Sequence, residues 1–186
     1  MLLEDFNKQI DYWNDWLANQ KEEERKYDLS FFKIWIIFER FLVDIVISYS
    51  CGLPSERGFI PKQKLKFLDE SHFNYFFKKN TYVDYISVIE NYSEQIFVDN
   101  PFQIITILTP YHDYYLKMKV IRNYIAHESF ESRVRYLSVF FGSDESKLLD
   151  PNEYLSKFNK RSGLTNYFVF VNAIKEMAEY ICYPYF

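Results

Sequence analysis

The sequence predicts a single all-α domain, and three observations lead to this prediction. The chain has 186 residues, which is the size of one domain. Its residues are 48% hydrophobic and 21% aromatic, so a sizeable core can form. Only 4 glycines and 6 prolines are present, too few for the many tight turns of an all-β protein. We therefore expect one helical bundle of about five to seven helices over residues 1–186.

The first two helices are predicted by apolar residues that recur three and four positions apart. The first carries Leu3, Phe6, Ile10, Trp13 and Leu17. The second begins near Asp28 or Ser30, either of which can cap a helix, and runs to about Tyr49. This second helix is apolar around most of its circumference, which predicts a central position. Because Glu39 lies among its apolar residues, we expect an ion pair with a neighbouring helix in preference to a catalytic role.

The middle of the chain is less regular. Glycine and proline predict a loop over residues 51–61, and residues 62–80 are expected to be helical. Thr81 can cap the helix that follows. Residues 101–108 allow two interpretations, because Asn100-Pro101 is typical of a helix start whereas the β-branched run suits a strand.

The last third of the chain again predicts helices. Thr109-Pro110 opens a helix with an apolar stripe that reaches Ile125. Residues 133–142 either continue as a helix or pair as a strand, so a minor β element near 133–141 stays open. Asp150 begins a capping signature for a short helix. A final helix, from about Leu164 to Cys182, ends before Pro184.

Composition narrows the class of protein. Cys51 and Cys182 fit neither a metal-ligand spacing nor a disulfide framework, so we expect buried thiols and no cofactor. The N-terminus does not resemble a signal peptide and no apolar run could span a membrane, which predicts a cytoplasmic protein.

The net charge of −4 argues against a uniformly basic surface that binds nucleic acid non-specifically. Residues 53–79 and 113–135 are nevertheless locally basic, which indicates a solvated face or a phosphate-facing groove.

The segment VIRNYIAHES, residues 120–129, places three polar side chains within an otherwise apolar helix. On a regular helix Asn123 and His127 lie about 40° apart and so share a face. Arg122 and His127 lie about 140° apart, so Arg122 joins them only through its long side chain. A purely structural alternative is that Arg122 pairs with a buried acid such as Glu39 while His127 is a core histidine. His72 and His112 have no comparable setting, and we assign them no role.

RNYIAH resembles the R-x4-H form of the signature of HEPN domains, which are compact helical bundles of about this size. An acidic residue or asparagine after the arginine is typical of that family, and Asn123 fits. The resemblance implies a metal-independent endoribonuclease from a toxin–antitoxin or antiviral defence system, although some members bind nucleotides or proteins without cutting. An antitoxin or nucleotidyltransferase partner is also implied. Toxins paired with nucleotidyltransferases usually carry a tyrosine two residues after the histidine, where this chain has Ser129.

The residue types suit metal-free RNA cleavage. The 2′-hydroxyl of RNA can attack its own phosphodiester, and a histidine such as His127 can transfer the proton. Arg122 can stabilise charge on the phosphate, and Asn123 can hold the imidazole or the phosphate. We expect these three residues to be catalytic, with no metal. Lys119 and Tyr124 are candidates for RNA binding, although Tyr124 is better explained by packing or by a dimer contact.

The sequence also predicts assembly, because one copy of the motif makes a poor site. A two-fold contact along residues 111–130 would bring two His127 side chains to one cleft. We expect the contact to include Tyr111, Tyr114, Tyr115 and Tyr124. The alternative function is a catalytically silent HEPN module that binds a nucleotide or a partner protein, which the acidic net charge and Ser129 favour.

Overall fold

The computed structural model describes residues 2–20, 24–78 and 83–184, and within these the prediction of an all-α fold is confirmed. The helices are α1 (Leu3–Asn19), α2 (Lys26–Ser50), α3 (Glu70–Phe77), α4 (Tyr85–Ile96), α5 (Gln103–Thr106), α6 (Tyr111–His127), α7 (Phe130–Phe141), α8 (Pro151–Ser156) and α9 (Asn166–Cys182). A 3-10 turn follows α7 at Glu145–Lys147. Nine α-helices in the described ranges exceed the predicted five to seven because α3, α5 and α8 have only 8, 4 and 6 residues.

Helix α2 is the central helix, as its nearly continuous apolar surface predicted. It packs against α1, α4, α6, α8 and α9. Its buried side chains include Phe31, Trp35, Phe38 and Phe41. The helix begins at Lys26, before both predicted caps. Ser30 instead hydrogen-bonds with the Tyr167 hydroxyl, and Asp28 accepts a hydrogen bond from Arg25.

The segment between α2 and α4 corrects the prediction of a helix over residues 62–80. Within the described residues 62–78, only Glu70–Phe77 is helical, with Asp69 as its N-cap. The preceding residues lie along the end of α4, where the backbone N–H of Lys64 donates to the carbonyl of Ile96. Those pairings replace the hydrogen bonds of a helix. Thr81 lies outside the described residues, and the cap of α4 is Asp84.

The two ambiguous segments are both helical. Residues 103–106 form α5, and residues 130–141 form α7, so the strand option near 133–141 is wrong. Ser129 caps the first turn of α7 by accepting from the N–H of Ser132, and Gly142 ends the helix with a φ of 61°. The minor β element lies further along the chain, where β1 (Phe158–Asn159) pairs antiparallel with β2 (Leu164–Thr165) just before α9.

Candidate active site

The connection between α6 and α7 builds the site. Helix α6 ends at His127, and Glu128 adopts a left-handed conformation with φ 45° and ψ 25°. Ser129 then caps α7. Because only these two residues separate the helices, α7 folds back and packs against α6. The polar end of α6 therefore faces the first turns of α7 across a short distance.

An open cleft of about 250 Å³ lies between these two helices. Asn123 and His127 line it from α6, and Glu131, Ser132 and Arg135 line it from α7. His127 is exposed, and its ring has no hydrogen-bond or ion-pair partner in the described part of the chain. The interpretation of His127 as a satisfied core histidine is therefore wrong. Its imidazole is free to exchange a proton with a bound molecule.

Arg122 is held from two sides. Its Nη2 donates to Oε2 of Glu39 at 3.0 Å, and its Nη1 donates to Oδ1 of Asn123 at 3.0 Å. The Arg122 and Glu39 side chains are 26% and 27% exposed. The ion pair expected for Glu39 is thus present, and it joins α2 to α6. Since Oδ1 of Asn123 accepts from Arg122, the amide NH₂ of Asn123 retains its two donors for another partner.

The structure brings Asn123 and His127 to one cleft, whereas Arg122 does not line this cleft and adjoins it through Asn123. Asn123 contacts the guanidinium of Arg122 and lines the same cleft as His127. No hydrogen bond joins Arg122 directly to His127 among the described residues. The Nε of Arg122 is buried without a hydrogen-bond partner in this part of the chain. This arrangement combines a fixed cation, an amide donor and a free imidazole along one helix end.

The two predicted RNA-binding residues lie in different places. Lys119 pairs with Glu90 of α4 and lines a pocket that adjoins the cleft. Tyr124 stacks on Tyr136 with ring centroids 5.0 Å apart and faces away from the cleft. The structure thus supports the packing role of Tyr124 and does not bring its ring to the cleft.

The tyrosines expected at a dimer contact are engaged within the chain. Tyr115 is only 1% exposed, and its hydroxyl donates to Glu90, so its assignment to a subunit contact is wrong. Tyr111 donates to Glu176, and Tyr114 packs edge-on against Phe170. Apolar residues on the stripe of α6 serve the core of one chain.

Two site residues were missed by sequence reasoning. Arg135 lines the cleft, is exposed, and has no ion-pair partner within the described ranges. His112 lines the adjoining pocket. The basic segment 113–135 was the signal for Arg135, but its place opposite Asn123 depends on α7 being a helix that folds back.

The adjoining pocket, which we call the α5–α6 pocket, has a volume of about 360 Å³. It shares Val120, Asn123 and Arg135 with the cleft, so the two lie side by side along α6. Its other polar lining residues are Glu90, Thr106, His112 and Lys119.

The opposite side of the same helix end carries an acidic pocket of about 500 Å³, lined by Glu24, Arg25, Asp28, Glu128 and Asp150. Arg25 donates to Asp28 at 3.0 Å and to Glu128 at 2.9 Å. Burial raises the pKa of the Asp28 carboxyl, an effect that its hydrogen bond with Arg25 opposes. The αL residue after His127 is thus tied to α2.

Other reactive groups lie away from this groove. Cys51 and Cys182 are free thiols, and burial raises the pKa of Cys182 to about 12, so this thiol stays protonated at neutral pH. In the described ranges no group of three or more His, Cys, Asp or Glu side chains could hold a metal ion. None of the helices described is long and apolar enough to cross a membrane.

The sequence matches no protein-family model and no curated protein, and the structure matches no solved structure. Functional assignment therefore rests on the side chains and their geometry.

Proposed function

We propose that this protein is a metal-independent endoribonuclease of the HEPN type, acting in the cytoplasm as a toxin or an antiviral effector. One observation carries the proposal. Asn123 links an arginine that Glu39 holds in place to an open cleft that also contains the unpartnered ring of His127. A cation and a proton-transfer group beside one cleft are the two elements that cleavage of RNA by its own 2′-hydroxyl requires.

The reaction proceeds at one phosphodiester bound in the cleft. His127 removes the proton from the 2′-hydroxyl, whose oxygen attacks the adjacent phosphorus. The bond from phosphorus to the 5′-oxygen of the next nucleotide breaks, and that oxygen takes up a proton. The products are a 2′,3′-cyclic phosphate and a 5′-hydroxyl. Arg122 and the NH₂ group of Asn123 stabilise the negative charge on the non-bridging oxygens, and Arg135 attracts the neighbouring phosphate.

A homodimer completes this scheme, because one imidazole removes a proton while a second can supply one to the leaving oxygen. Exposed apolar side chains in the first turns of α7 support a contact between two copies. Phe130 and Val134 are 74% and 45% exposed. A two-fold contact of these surfaces would place two His127 rings in a shared cleft.

Regulation by a partner is part of the proposal, with an antitoxin as the expected class. Ser129 has a structural role, because its Oγ accepts the N–H of Ser132 at the start of α7. A serine in this role is not the tyrosine that nucleotidyltransferase partners modify in similar toxins. We therefore favour inhibition by a bound protein over modification at position 129.

The decisive experiment is incubation of purified protein with a structured RNA that contains single-stranded loops, in buffer with EDTA. We expect cleavage that leaves 2′,3′-cyclic phosphate ends and that disappears in His127→Ala and in Arg122→Ala. Cleavage that needs a divalent metal, or that persists in both variants, would contradict the proposal.

A second candidate function is a catalytically silent module that binds a nucleotide or a partner protein. The ion pair between Arg122 and Glu39 favours this silent module, because an arginine with a purely structural role would make the same pair. Calorimetry with nucleotides and co-purification with the product of a neighbouring gene test this candidate. His127-dependent cleavage of RNA with turnover would exclude it.

A further inference from the structure

The α5–α6 pocket combines apolar and polar side chains. Its apolar lining includes Ile105, Leu116 and Val120, and its polar lining includes Glu90, Thr106, His112 and Lys119. Concave sites with apolar walls and a few placed polar groups are typical of small-ligand pockets. Asn123 and Arg135 line both this pocket and the cleft, so a group bound here lies next to a molecule held in the cleft.

The polar groups of this pocket are rich in hydrogen-bond acceptors. Nδ1 of His112 lies 2.6 Å from the carbonyl oxygen of Ile105. Because a carbonyl can only accept, this nitrogen carries a proton, and in the tautomer with this N–H the other ring nitrogen, Nε2, can accept a hydrogen bond. The hydroxyl of Thr106 donates to the carbonyl of Phe102 at 3.3 Å, which leaves lone pairs on Oγ1.

Glu90 adds a carboxylate, and Lys119 adds a donor beside it. Oε1 of Glu90 accepts from the hydroxyl of Tyr115 at 2.9 Å and from Lys119. No hydrogen bond to Oε2 is found within the described residues. A carboxylate oxygen next to an ammonium group therefore presents an acceptor and a donor side by side.

We propose that the α5–α6 pocket binds the nucleobase adjacent to the cleaved phosphate and prefers guanine. The inference rests on the proposed function, since it takes RNA as the substrate. Guanine presents more N–H donors on its Watson–Crick edge than the other RNA bases, together with the O6 acceptor next to N1–H. Those donors match Glu90, Thr106 and His112, while O6 matches Lys119. Single-stranded RNA is read in this way, through the edges of unpaired bases.

The first test measures nucleotide binding separately from cleavage. GMP, AMP, CMP and UMP are titrated into His127→Ala protein, which is expected not to cut RNA, with binding followed by NMR. We expect saturable binding of GMP that is at least about fivefold tighter than that of the other three, the lower range for specific base recognition. Equal affinity for all four nucleotides, or no saturable binding of GMP, would overturn the proposal.

The second test blocks the pocket without disturbing the core. Leu116→Trp places a large ring at the exposed pocket wall and should abolish GMP binding. Val139→Trp is the matched control, because Val139 is 43% exposed on α7 and Leu116 is 42% exposed on α6. Glu90→Gln should lower the affinity for GMP about tenfold with little change for AMP, since an amide NH₂ then faces the guanine donors. Unchanged GMP binding in Leu116→Trp would contradict the site.

Cleavage assays separate this proposal from the proposed function. In one outcome, the wild-type protein binds GMP selectively but cuts no RNA, and Leu116→Trp abolishes the binding of GMP. This outcome would refute the ribonuclease and retain the guanine site. Cleavage that depends on His127, shows no base preference and is unaffected by Leu116→Trp would retain the ribonuclease and refute the guanine site.

Discussion

The two sides of the C-terminal end of α6 differ in charge and in how far their side chains are already engaged. On the cleft side, His127, Glu131 and Arg135 are exposed and have no ion-pair partners in the described ranges. On the other side, Arg25 is bonded to both Asp28 and Glu128, and further acidic residues surround it. One helix end thus carries a side whose charged groups, both basic and acidic, lack partners, and a mainly acidic side that is held together around Arg25.

The two sides therefore have different roles, because one positions the turn after α6 and the other is open to a bound molecule. The contact between Arg25 and Glu128 ties the left-handed residue after His127 to α2, and this residue directs α7 back towards α6. The acidic side therefore holds the turn, whereas the cleft side retains groups that can meet a phosphate. Phosphate would be repelled by the acidic pocket and attracted by Arg135. Arg122 combines the two roles, because Glu39 holds it in place and it contacts Asn123, which lines the cleft.

The largest effect is expected from His127→Ala. Loss of a proton-transfer group should lower the cleavage rate by about 10²-fold or more. Thermal stability should stay within about 0.5 kcal/mol of wild type, because an exposed ring without partners contributes little to folding. His72→Ala, at another exposed histidine outside the cleft, is the matched control and should cleave as wild type. Equal activity of both variants would remove His127 from the mechanism.

Arg122→Ala should affect both activity and stability. We expect about a 10²-fold loss of cleavage, together with a destabilisation of about 1–2 kcal/mol because Glu39 loses its partner in a half-buried position. Arg122→Lys should also lose activity, since a single ammonium group cannot hold Glu39 and Asn123 as the planar guanidinium does. Cleavage kinetics measure the loss of activity in the two variants, and unfolding by denaturant measures the loss of stability. Full activity in Arg122→Ala would mean that the arginine serves only the fold.

Arg135→Ala should weaken RNA binding about tenfold at low salt and reduce the salt dependence of binding, because one phosphate contact is lost. Arg133→Ala is the matched control on the same helix. The Arg133 side chain is paired with Glu145 and does not line the cleft. Binding isotherms at several salt concentrations distinguish the two variants. If both weaken binding equally, a general basic surface is responsible.

The smallest effect on cleavage is expected from Asp28→Asn, on the acidic side. Cleavage should stay within about twofold of wild type, because the carboxyl does not reach the cleft. Burial raises the pKa of the folded carboxyl above its unfolded value, so the folded state binds the proton more tightly. The free energy of unfolding of the wild type should therefore fall, relative to that of Asp28→Asn, as the pH rises. The fall begins at the pKa of the carboxyl in the unfolded state and continues through its pKa in the folded state. Unfolding free energies measured across this pH range should show the difference, and parallel curves would contradict it.

The interpretation of residues 133–141 shows where sequence patterns are insufficient. Residues 133–141 are rich in valine and aromatic side chains, which favour a strand, whereas Tyr136, Leu137, Phe140 and Phe141 also fit one face of a helix. The cap at Ser129, the stop at Gly142 and the packing of Tyr136 against Tyr124 select the helix. Arg135 enters the cleft only as a consequence of that choice.

Tyr115 shows a second limit. Its place on the apolar stripe of α6 predicts burial, but a protein core and a subunit contact bury the same kind of side chain. Contact with Trp35 of α2 and with Glu90 of α4 assigns it to the core. These partners are distant in sequence, so no local pattern identifies them.

The sequence by itself determined the helical class, the start of α6, the shared face of Asn123 and His127, and the cap of α8 at Asp150. These features follow from helical periodicity and capping, which are properties of neighbouring residues. The sequence offered Glu39 as a partner of Arg122 only as one alternative, and the tertiary structure decided for it. Only the tertiary structure decided which helix forms the second wall of the cleft and which pocket adjoins it. Those features depend on pairings such as Glu39 with Arg122, 83 residues apart, and a side chain's sequence neighbours do not specify such a partner.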